Sequence, residues 1–301
     1  PAQGEWIMPL VGIKEILTDA RRGRYGVLRL LVGNLDMVIG QIAAAEEQRA
    51  PLILAFNQEV TSQVPLELAM PMLVSVARRA SVPVATILDH GNSLESVVRA
   101  MHLGSSSVMF DGSTLPYEEN VRQTQEVVRV AHALGVSVEA ELGSIGGDAT
   151  ETGASAVAAV SGDQHPEGIC TDPDLAVDFV QRTGVDALAI SFGNAHGTYQ
   201  GEPHLDLALV RDVYSRVEIP LVMHGASGLA DSQYREIVES GISKVCYYTA
   251  MGKRAAADIH KWLEAADEDG AVYHGIISCA IDSFRADTVR VMDLVGCAGM
   301  A

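Results

Sequence analysis

The amino-acid sequence predicts an α/β protein built as a (β/α)8 TIM barrel, with an extra N-terminal helix and closing helices at the C-terminus. Eight short apolar segments alternate with helical patterns at regular spacing, which is typical of a parallel sheet wrapped by helices. The length of 301 residues is typical of one such barrel. No linker divides the chain, so residues 1–301 are expected to form a single domain, with residues 1–7 as a tag remnant or a short extension.

Each predicted strand is a short apolar run, and each is followed by a longer segment with helical periodicity. The predicted strands are Tyr25–Val32, Pro51–Phe56, Val82–Leu88, Ser107–Phe110, Val136–Leu142, Ala187–Ser191, Pro220–His224 and Ser243–Tyr247. The predicted helices are Pro9–Arg22, Leu35–Arg49, Leu66–Arg79, Leu94–Leu103, Glu118–Leu134, Asp174–Thr183, Leu207–Val217, Gln233–Ser240, Ala250–Ala266 and Ile276–Val295. An open doubly wound sheet is the alternative, but it would more naturally carry a Gly-x-Gly-x-x-Gly turn after an early strand, and none is found.

Composition limits the classes of partner. The formal net charge of -18 argues against nucleic acid or an anionic membrane, because both attract clustered Lys and Arg. The four cysteines form no Cys-x-x-Cys pair, which predicts neither a disulfide framework nor a thiolate zinc site and fits the cytoplasm. No apolar run reaches the roughly 18 residues that span a bilayer.

Polar side chains gather where the predicted strands end. The third strand runs into Asp89 and His90, the fourth into Asp111, and the fifth ends in Glu139-Ala140-Glu141. His196 follows the sixth strand, and His224 ends the seventh. The carboxyl ends of barrel strands meet at one rim, where active sites are built. Three converging imidazoles are a usual ligand set for catalytic zinc, with Glu141 as a further or alternate ligand and Asp111 as a secondary one.

Small residues follow the last two strands. Gly225-Ala226-Ser227-Gly228 and Thr249 occupy the positions where barrels commonly bind phosphate, through loop N–H groups and a helix amino end. Gly197 would let the backbone approach a ligand closely. The sequence favours a phosphate site here, although a tight turn is also compatible with such a loop.

These segments together resemble a known family. The resemblance is carried by Leu88-Asp89-His90-Gly91, Ser106–Ser113 with Glu118-Glu119-Asn120, Glu139–Gly143 with Gly146-Gly147, Gly193–Tyr199 and His224–Gly228. They are similar, in order, to the signature blocks of the class II, zinc-dependent fructose-bisphosphate and tagatose-bisphosphate aldolases. The similarity extends from Met8 to Gly299.

The resemblance implies roles for particular residues. His90, His196 and His224 match the zinc ligands, and Asp89 matches the acid/base that handles the C4 hydroxyl proton. Glu141 matches an alternate metal position. The positions around the ketose phosphate are matched by Gly197, Gly225, Ser227 and Thr249.

The resemblance also implies a reaction and its partners. The reaction would be the reversible aldol cleavage of a ketose or ketose phosphate through a zinc-stabilised enediolate. The expected cofactor is Zn²⁺ or another divalent metal, with a monovalent cation as a second candidate. A sugar or sugar phosphate is the expected substrate, and a homodimer or homotetramer the expected assembly.

Several substrate-facing positions depart from the family. Cys246 and Ala250 replace an amide and a carboxylate after the eighth strand, while Leu31 and Asn57 replace an asparagine and a serine. Ala149 stands where the family has the loop glutamate that protonates the enediolate, and Asp148 or Glu151 are the candidate substitutes. No Asp-Pro-Arg is found near the C-terminus.

These departures leave three functions open. The first is an active aldolase with a substrate other than fructose 1,6-bisphosphate, whose aldehyde portion is admitted by Tyr247 and Tyr248 or lacks the second phosphate. The second is a zinc barrel that runs another enolate reaction. The third is a non-catalytic aldolase-like binding subunit, against which the presence of Asp89 argues.

Overall fold

A computed structural model describes residues 9–146, 170–199, 201–266 and 271–301. Eight parallel strands close into a barrel in sequence order, and the last strand pairs with the first. This confirms the predicted fold class. The strands are β1 (Val27–Leu31), β2 (Leu52–Phe56), β3 (Val84–Gly91), β4 (Ser107–Phe110), β5 (Ser137–Leu142), β6 (Ala187–Ile190), β7 (Leu221–Met223) and β8 (Ile242–Tyr247).

In the described part of the chain, helices surround the barrel, with one before the first strand and two after the last. They are α1 (Ile13–Gly23), α2 (Leu35–Gln48), α3 (Leu66–Ala77), α4 (Leu94–His102), α5 (Tyr117–Ala133), α6 (Pro173–Thr183), α7 (Leu207–Arg216), α8 (Asp231–Ser240), α9 (Thr249–Ala265) and α10 (Tyr273–Val295). The long α10 packs against α2 and α9, so the closing helices cover the barrel beside its β8–β1 seam. No helix among the described residues is long and apolar enough to cross a bilayer.

The strands are buried on both faces because side chains fill the barrel on one side and the helices cover the other. Within these apolar strands a few charged residues are buried as well, including Arg29 on β1, Glu139 and Glu141 on β5, and Lys244 on β8. Charged residues are almost never fully buried unless they are paired. Their positions therefore mark the part of the barrel where chemistry rather than packing selects the residue.

Strand β3 differs from its prediction. The sequence places its end at Leu88, but the strand continues through Gly91, with a shift in its register against β4 between Leu88 and Gly91. His90 lies within this irregularity and has a left-handed φ of 49°. A bulge re-aims side chains and often occurs next to an active site. The apolar pattern could not reveal it, because the two polar residues look like the start of a loop.

Some predicted features lie outside the described residues. These are the segment 1–7 and the loop positions Asp148, Ala149 and Glu151.

Candidate active site

Three histidines from three segments meet at the carboxyl rim of the barrel. His90 lies at the irregular end of β3, His196 on the loop after β6, and His224 directly after β7. The Nδ1 atom of His224 lies 3.1 Å from Nε2 of His90 and 3.5 Å from Nε2 of His196. The structure therefore brings together all three residues that the sequence suggested as metal ligands.

Two of these rings have their outer nitrogens engaged by carboxylates. Nδ1 of His90 lies 2.7 Å from Oδ2 of Asp111, and Nε2 of His224 lies 3.1 Å from Oε1 of Glu139. A carboxylate only accepts hydrogen bonds, so both of these ring nitrogens donate. The inner nitrogens of His90 and His224 then face each other with lone pairs, and a shared cation would satisfy both. One proton bridges two of the three nitrogens, whereas a metal ion satisfies all three.

The spacing of the inner nitrogens suits such an ion. In a tetrahedral zinc site with Zn–N bonds of about 2.0–2.1 Å, two ligand nitrogens lie about 3.3–3.4 Å apart. The observed separations of 3.1 Å and 3.5 Å lie on either side of that value. The His90–Asp111 and His224–Glu139 pairs also match the outer-shell carboxylates that orient metal-binding histidines. The residues thus fit a divalent metal by both spacing and chemistry.

The pKa values of the rings favour the ligand form. Burial, followed by the neighbouring His90, lowers the pKa of His196 to about 3. Burial and then His90 also lower the pKa of His224 well below its usual value. Imidazoles that resist protonation keep their lone pairs for a metal near neutral pH.

A second group of ligand atoms shares His90 with the first. It consists of His90, Asp111 and the buried Glu141. Burial, followed by the nearby charge of Asp111, raises the pKa of Glu141 to about 8. Burial alone would raise the pKa of Asp111, but the hydrogen bonds from His90 and Ser113 outweigh it and lower that pKa to about 2. Oε2 of Glu141 is buried without a hydrogen-bond partner among the described residues, so this oxygen could coordinate a cation.

Asp89 lies beside the histidine cluster. Its side chain is 1% exposed, and its Oδ2 accepts a hydrogen bond from the Arg29 guanidinium and lies 3.8 Å from Nε2 of His90. Oδ1 of Asp89 has no partner among the described residues. This carboxylate is therefore held on one oxygen, while the other remains available for a ligand.

The rim surrounds a cavity that is open to solvent. Besides the three histidines and Asp89, it is lined by Arg29, Leu31, Asn57, Val60, Gly197, Gly225, Ser227, Cys246, Tyr248 and Thr249. The predicted substrate positions Asn57, Gly197, Gly225, Ser227, Tyr248 and Thr249 are thus all in this wall. Oδ1 of Asn57 is occupied by the N–H groups of Glu59 and Val60, which fixes the loop after β2.

Tyr247 is the exception, and its prediction as a substrate contact is wrong. The residue is 1% exposed, and its hydroxyl donates to Oδ2 of Asp287 on α10 at 2.8 Å. Successive residues of a strand point to opposite faces, so Tyr247 faces the helices while its neighbours Cys246 and Tyr248 line the cavity.

The loops after β6 and β7 are joined by hydrogen bonds. The Tyr199 hydroxyl donates to the carbonyl of Gly225 at 2.7 Å and accepts from the N–H of Ala195. The Asn194 amide donates to the carbonyl of His224 at 3.0 Å. Gly225 has a φ of 72°, and a Cβ there would meet the Ala195 carbonyl oxygen at 2.0 Å. These contacts set the relative positions of His196 and His224.

Sequence reasoning missed two site residues, Arg29 and Lys244. Arg29 pairs with Asp89, and Nζ of the fully buried Lys244 lies 2.5 Å from Oε2 of Glu139. A Lys244–Glu139–His224 chain therefore runs through the barrel interior to the histidine cluster. The available signal was a single charged residue inside each of two apolar strands, Val27–Leu31 and Ile242–Tyr247.

Comparison with known proteins agrees with this architecture. Residues 11–300 match the family model described as fructose-bisphosphate aldolase class-II. The chain is 36% identical over 299 residues to a fructose-bisphosphate aldolase of Geobacillus stearothermophilus, covering 98% of this chain and 99% of that protein. It is 34% identical over 292 residues to the D-tagatose-1,6-bisphosphate aldolase subunit GatY of Klebsiella oxytoca, covering 97% and 99%. The crystal structure of the YdjI aldolase from Escherichia coli K12 matches with a TM-score of 0.83 and 33% identity, covering 97% of this chain and 99% of that chain.

Proposed function

Because the chain belongs to the class II fructose-bisphosphate aldolase family and is a lyase, we propose that it catalyses metal-dependent, reversible aldol cleavage of a ketose or ketose phosphate other than fructose 1,6-bisphosphate. The observation that carries this proposal is the convergence of three imidazole nitrogens, with the outer nitrogens of two of the rings, His90 and His224, held by Asp111 and Glu139. A divalent metal held by His90, His196 and His224 would supply a Lewis acid that polarises the donor carbonyl.

The chain's own residues then carry the proton. Asp89 takes the C4 hydroxyl proton in cleavage and returns it in condensation. Its unpartnered Oδ1 supports this role, and so does the distance of 3.8 Å from its Oδ2 to Nε2 of His90, because the reacting hydroxyl must lie close to the carbonyl group that the metal would polarise. Glu141 and Asp111 offer a second metal position that shares His90.

The phosphate end of the substrate is proposed to lie at the amino end of α9. Gly197, Gly225, Ser227 and Thr249 line the cavity on this side. Ser227 Oγ accepts the N–H groups of Tyr248 and Ala250, which fixes the first turn of α9 against the loop after β7. A helix amino end attracts an anion through its partial positive charge. A local site of this kind can bind phosphate despite the net charge of -18.

The remaining walls support a different substrate from that of the named aldolase relatives. Leu31 and Cys246 line the cavity but supply neither an amide nor a carboxylate to sugar hydroxyls. Tyr248 adds an aromatic ring to the same cavity. These residues favour an aldehyde portion that is less polar than a glyceraldehyde phosphate. The second candidate is another enolate reaction on the same metal, favoured by the same apolar replacements at Leu31 and Cys246. As in the resembled family, a homodimer or homotetramer is the proposed assembly.

A condensation screen tests the proposal. The metal-loaded protein is incubated with dihydroxyacetone, dihydroxyacetone phosphate or pyruvate and a panel of aldehydes, and products are identified by mass spectrometry. The expected result is a carbon–carbon condensation product with at least one donor. The Asp89→Ala variant should keep its metal but lose product formation, and unchanged turnover would remove Asp89 from the mechanism. Donor α-proton exchange without any condensation would favour the second candidate, and no reaction at all would contradict an aldolase.

A further inference from the structure

We propose that Arg29 is a further substrate-contacting residue, whose guanidinium donates a hydrogen bond to the same oxygen that exchanges its proton with Asp89. In condensation this is the carbonyl oxygen of the aldehyde, and in cleavage it is the C4 hydroxyl oxygen. The inference rests on the proposed function and extends it to a residue that lies in the middle of an apolar strand.

The burial of Arg29 is the first argument. Its side chain is 7% exposed and that of Asp89 is 1% exposed, and the two form an ion pair. Charges buried in this way are expensive, and an apolar pair of similar volume is often as stable or more stable. Stability therefore gives no reason for placing a guanidinium inside this barrel, whereas a position in the wall of the reaction cavity does.

The unused hydrogen-bonding capacity of the pair is the second argument. Nε of Arg29 and Oδ1 of Asp89 are both buried and have no partner among the described residues. Nε of Arg29 can donate one hydrogen bond and Oδ1 of Asp89 can accept one, and the two side chains are already in contact through their ion pair. A substrate hydroxyl both accepts and donates one hydrogen bond, so it can satisfy both atoms together.

The rest of the wall supplies no competing cation. Among the described residues that line the cavity, Arg29 is the only lysine or arginine. Cys246, which is the ladder partner of Arg29 on β8, contributes a thiol side chain, and Leu31 contributes an aliphatic one. Arg29 is thus the permanently charged side chain available to stabilise negative charge at this side of the cavity.

In condensation, the electron pair on the donor carbon forms the new carbon–carbon bond, and the carbonyl π electrons move to the aldehyde oxygen. That oxygen receives a proton from Asp89, which becomes a carboxylate. Arg29 keeps all its protons and stabilises the charge on the oxygen through its N–H group, in the manner of an oxyanion hole.

The kinetic test separates two partial reactions. Exchange of the donor α-proton, followed by NMR in D2O with dihydroxyacetone phosphate or the donor found in the screen, does not involve the aldehyde oxygen. Arg29→Met should lower the condensation rate by about 100-fold to 1,000-fold, as when an oxyanion donor is removed, while exchange changes by less than about threefold. Arg122→Met, which removes an exposed arginine on α5, is the matched control and should leave both rates unchanged.

Equilibrium binding separates a direct contact from an effect transmitted through Asp89. Asp89→Asn prevents turnover, so binding of the ketose product of the wild-type reaction can be measured by calorimetry. Because Asp89→Asn has already removed the carboxylate that pairs with Arg29, adding Arg29→Met leaves no buried charge without a partner in this pair, and we expect the double variant to fold. If Arg29 contacts the hydroxyl, the dissociation constant should rise by about tenfold or more.

Two results would overturn the role of Arg29 while leaving the proposed aldolase function intact. One is an equal dissociation constant for Asp89→Asn with and without Arg29→Met, since Arg29 would then act only through Asp89. The other is a parallel fall of exchange and condensation in Arg29→Met, which would mean a general effect on the site. If the wild-type protein catalyses neither exchange nor condensation, the proposed function itself fails and the inference falls with it.

Discussion

Replacement of Glu139 by glutamine tests the buried Lys244–Glu139–His224 chain. In the native protein the two Glu139 oxygens receive hydrogen bonds from Lys244 Nζ at 2.5 Å and His224 Nε2 at 3.1 Å. All three side chains are 0–1% exposed. Glu139→Gln keeps the shape but removes the negative charge, and so leaves the Lys244 ammonium buried without a counter-charge.

Glu139→Gln should lower both the stability of the protein and its affinity for metal. Breaking a buried ion pair from one side costs about 3–5 kcal/mol of unfolding free energy. Losing the carboxylate behind a metal-binding histidine weakens metal binding by about 10-fold to 100-fold. The double variant Glu139→Gln/Lys244→Met removes both charges and should regain most of the stability. It should not regain the metal affinity, because the carboxylate behind His224 is still missing.

The assays are urea unfolding of chelator-treated protein and metal competition against a chromophoric chelator. Chelation keeps the stability measurement independent of bound metal. The result that would refute the reasoning is equal stability of the single and double variants. Wild-type metal affinity in Glu139→Gln would separately refute a role for the carboxylate in orienting His224.

The remaining predictions concern the metal, the pH and one loop. Metal analysis of the purified protein should find about one divalent ion per chain, and the His90→Ala/His224→Ala double variant should lose it; a protein with no metal and no chelator sensitivity would contradict the ligand assignment. Burial and the charge of Asp111 raise the pKa of Glu141 from 4.5 to about 8. Between these two pH values the metal-free native state holds a proton on Glu141 that the unfolded chain has lost. The free energy of unfolding therefore falls as the pH rises from 4.5 to about 8. In urea unfolding, the free energy of unfolding of the metal-free protein should fall by up to about 1.4 kcal/mol per pH unit. Metal-free Glu141→Gln should not show this fall, and equal pH profiles of the two proteins would contradict the raised pKa of Glu141. Gly225→Ala should cost several kcal/mol because its Cβ would meet the neighbouring carbonyl oxygen at 2.0 Å with a φ of 72°; wild-type stability with normal metal content would show that the loop yields easily.

The barrel was predictable because its signal is repeated. Eight apolar runs separated by helical patterns leave few other architectures, and boundary errors of a few residues do not change the topology. The grouping of the three histidines was predictable for a related reason: the strand order of the barrel brings His90, His196 and His224 to the same rim.

The contacts between side chains were not predictable. Arg29 and Asp89 are 60 positions apart, and only the closed barrel shows that their side chains meet. The sequence named both Tyr247 and Tyr248 as substrate contacts, but successive strand residues point to opposite faces, and only Tyr248 lines the cavity. The irregularity at His90 was missed because a bulge has no apolar pattern of its own.

The most direct test of a metal-dependent aldolase is donor proton exchange as a function of bound metal. Chelator-treated protein is titrated with Zn²⁺ in D2O, and loss of the α-proton signals of dihydroxyacetone, dihydroxyacetone phosphate and pyruvate is followed by NMR. We expect the exchange of one donor to be absent without metal, to rise in proportion to bound metal and to reach a plateau at about one ion per chain. Exchange that proceeds equally without metal, or no exchange of any donor at full occupancy, would contradict it.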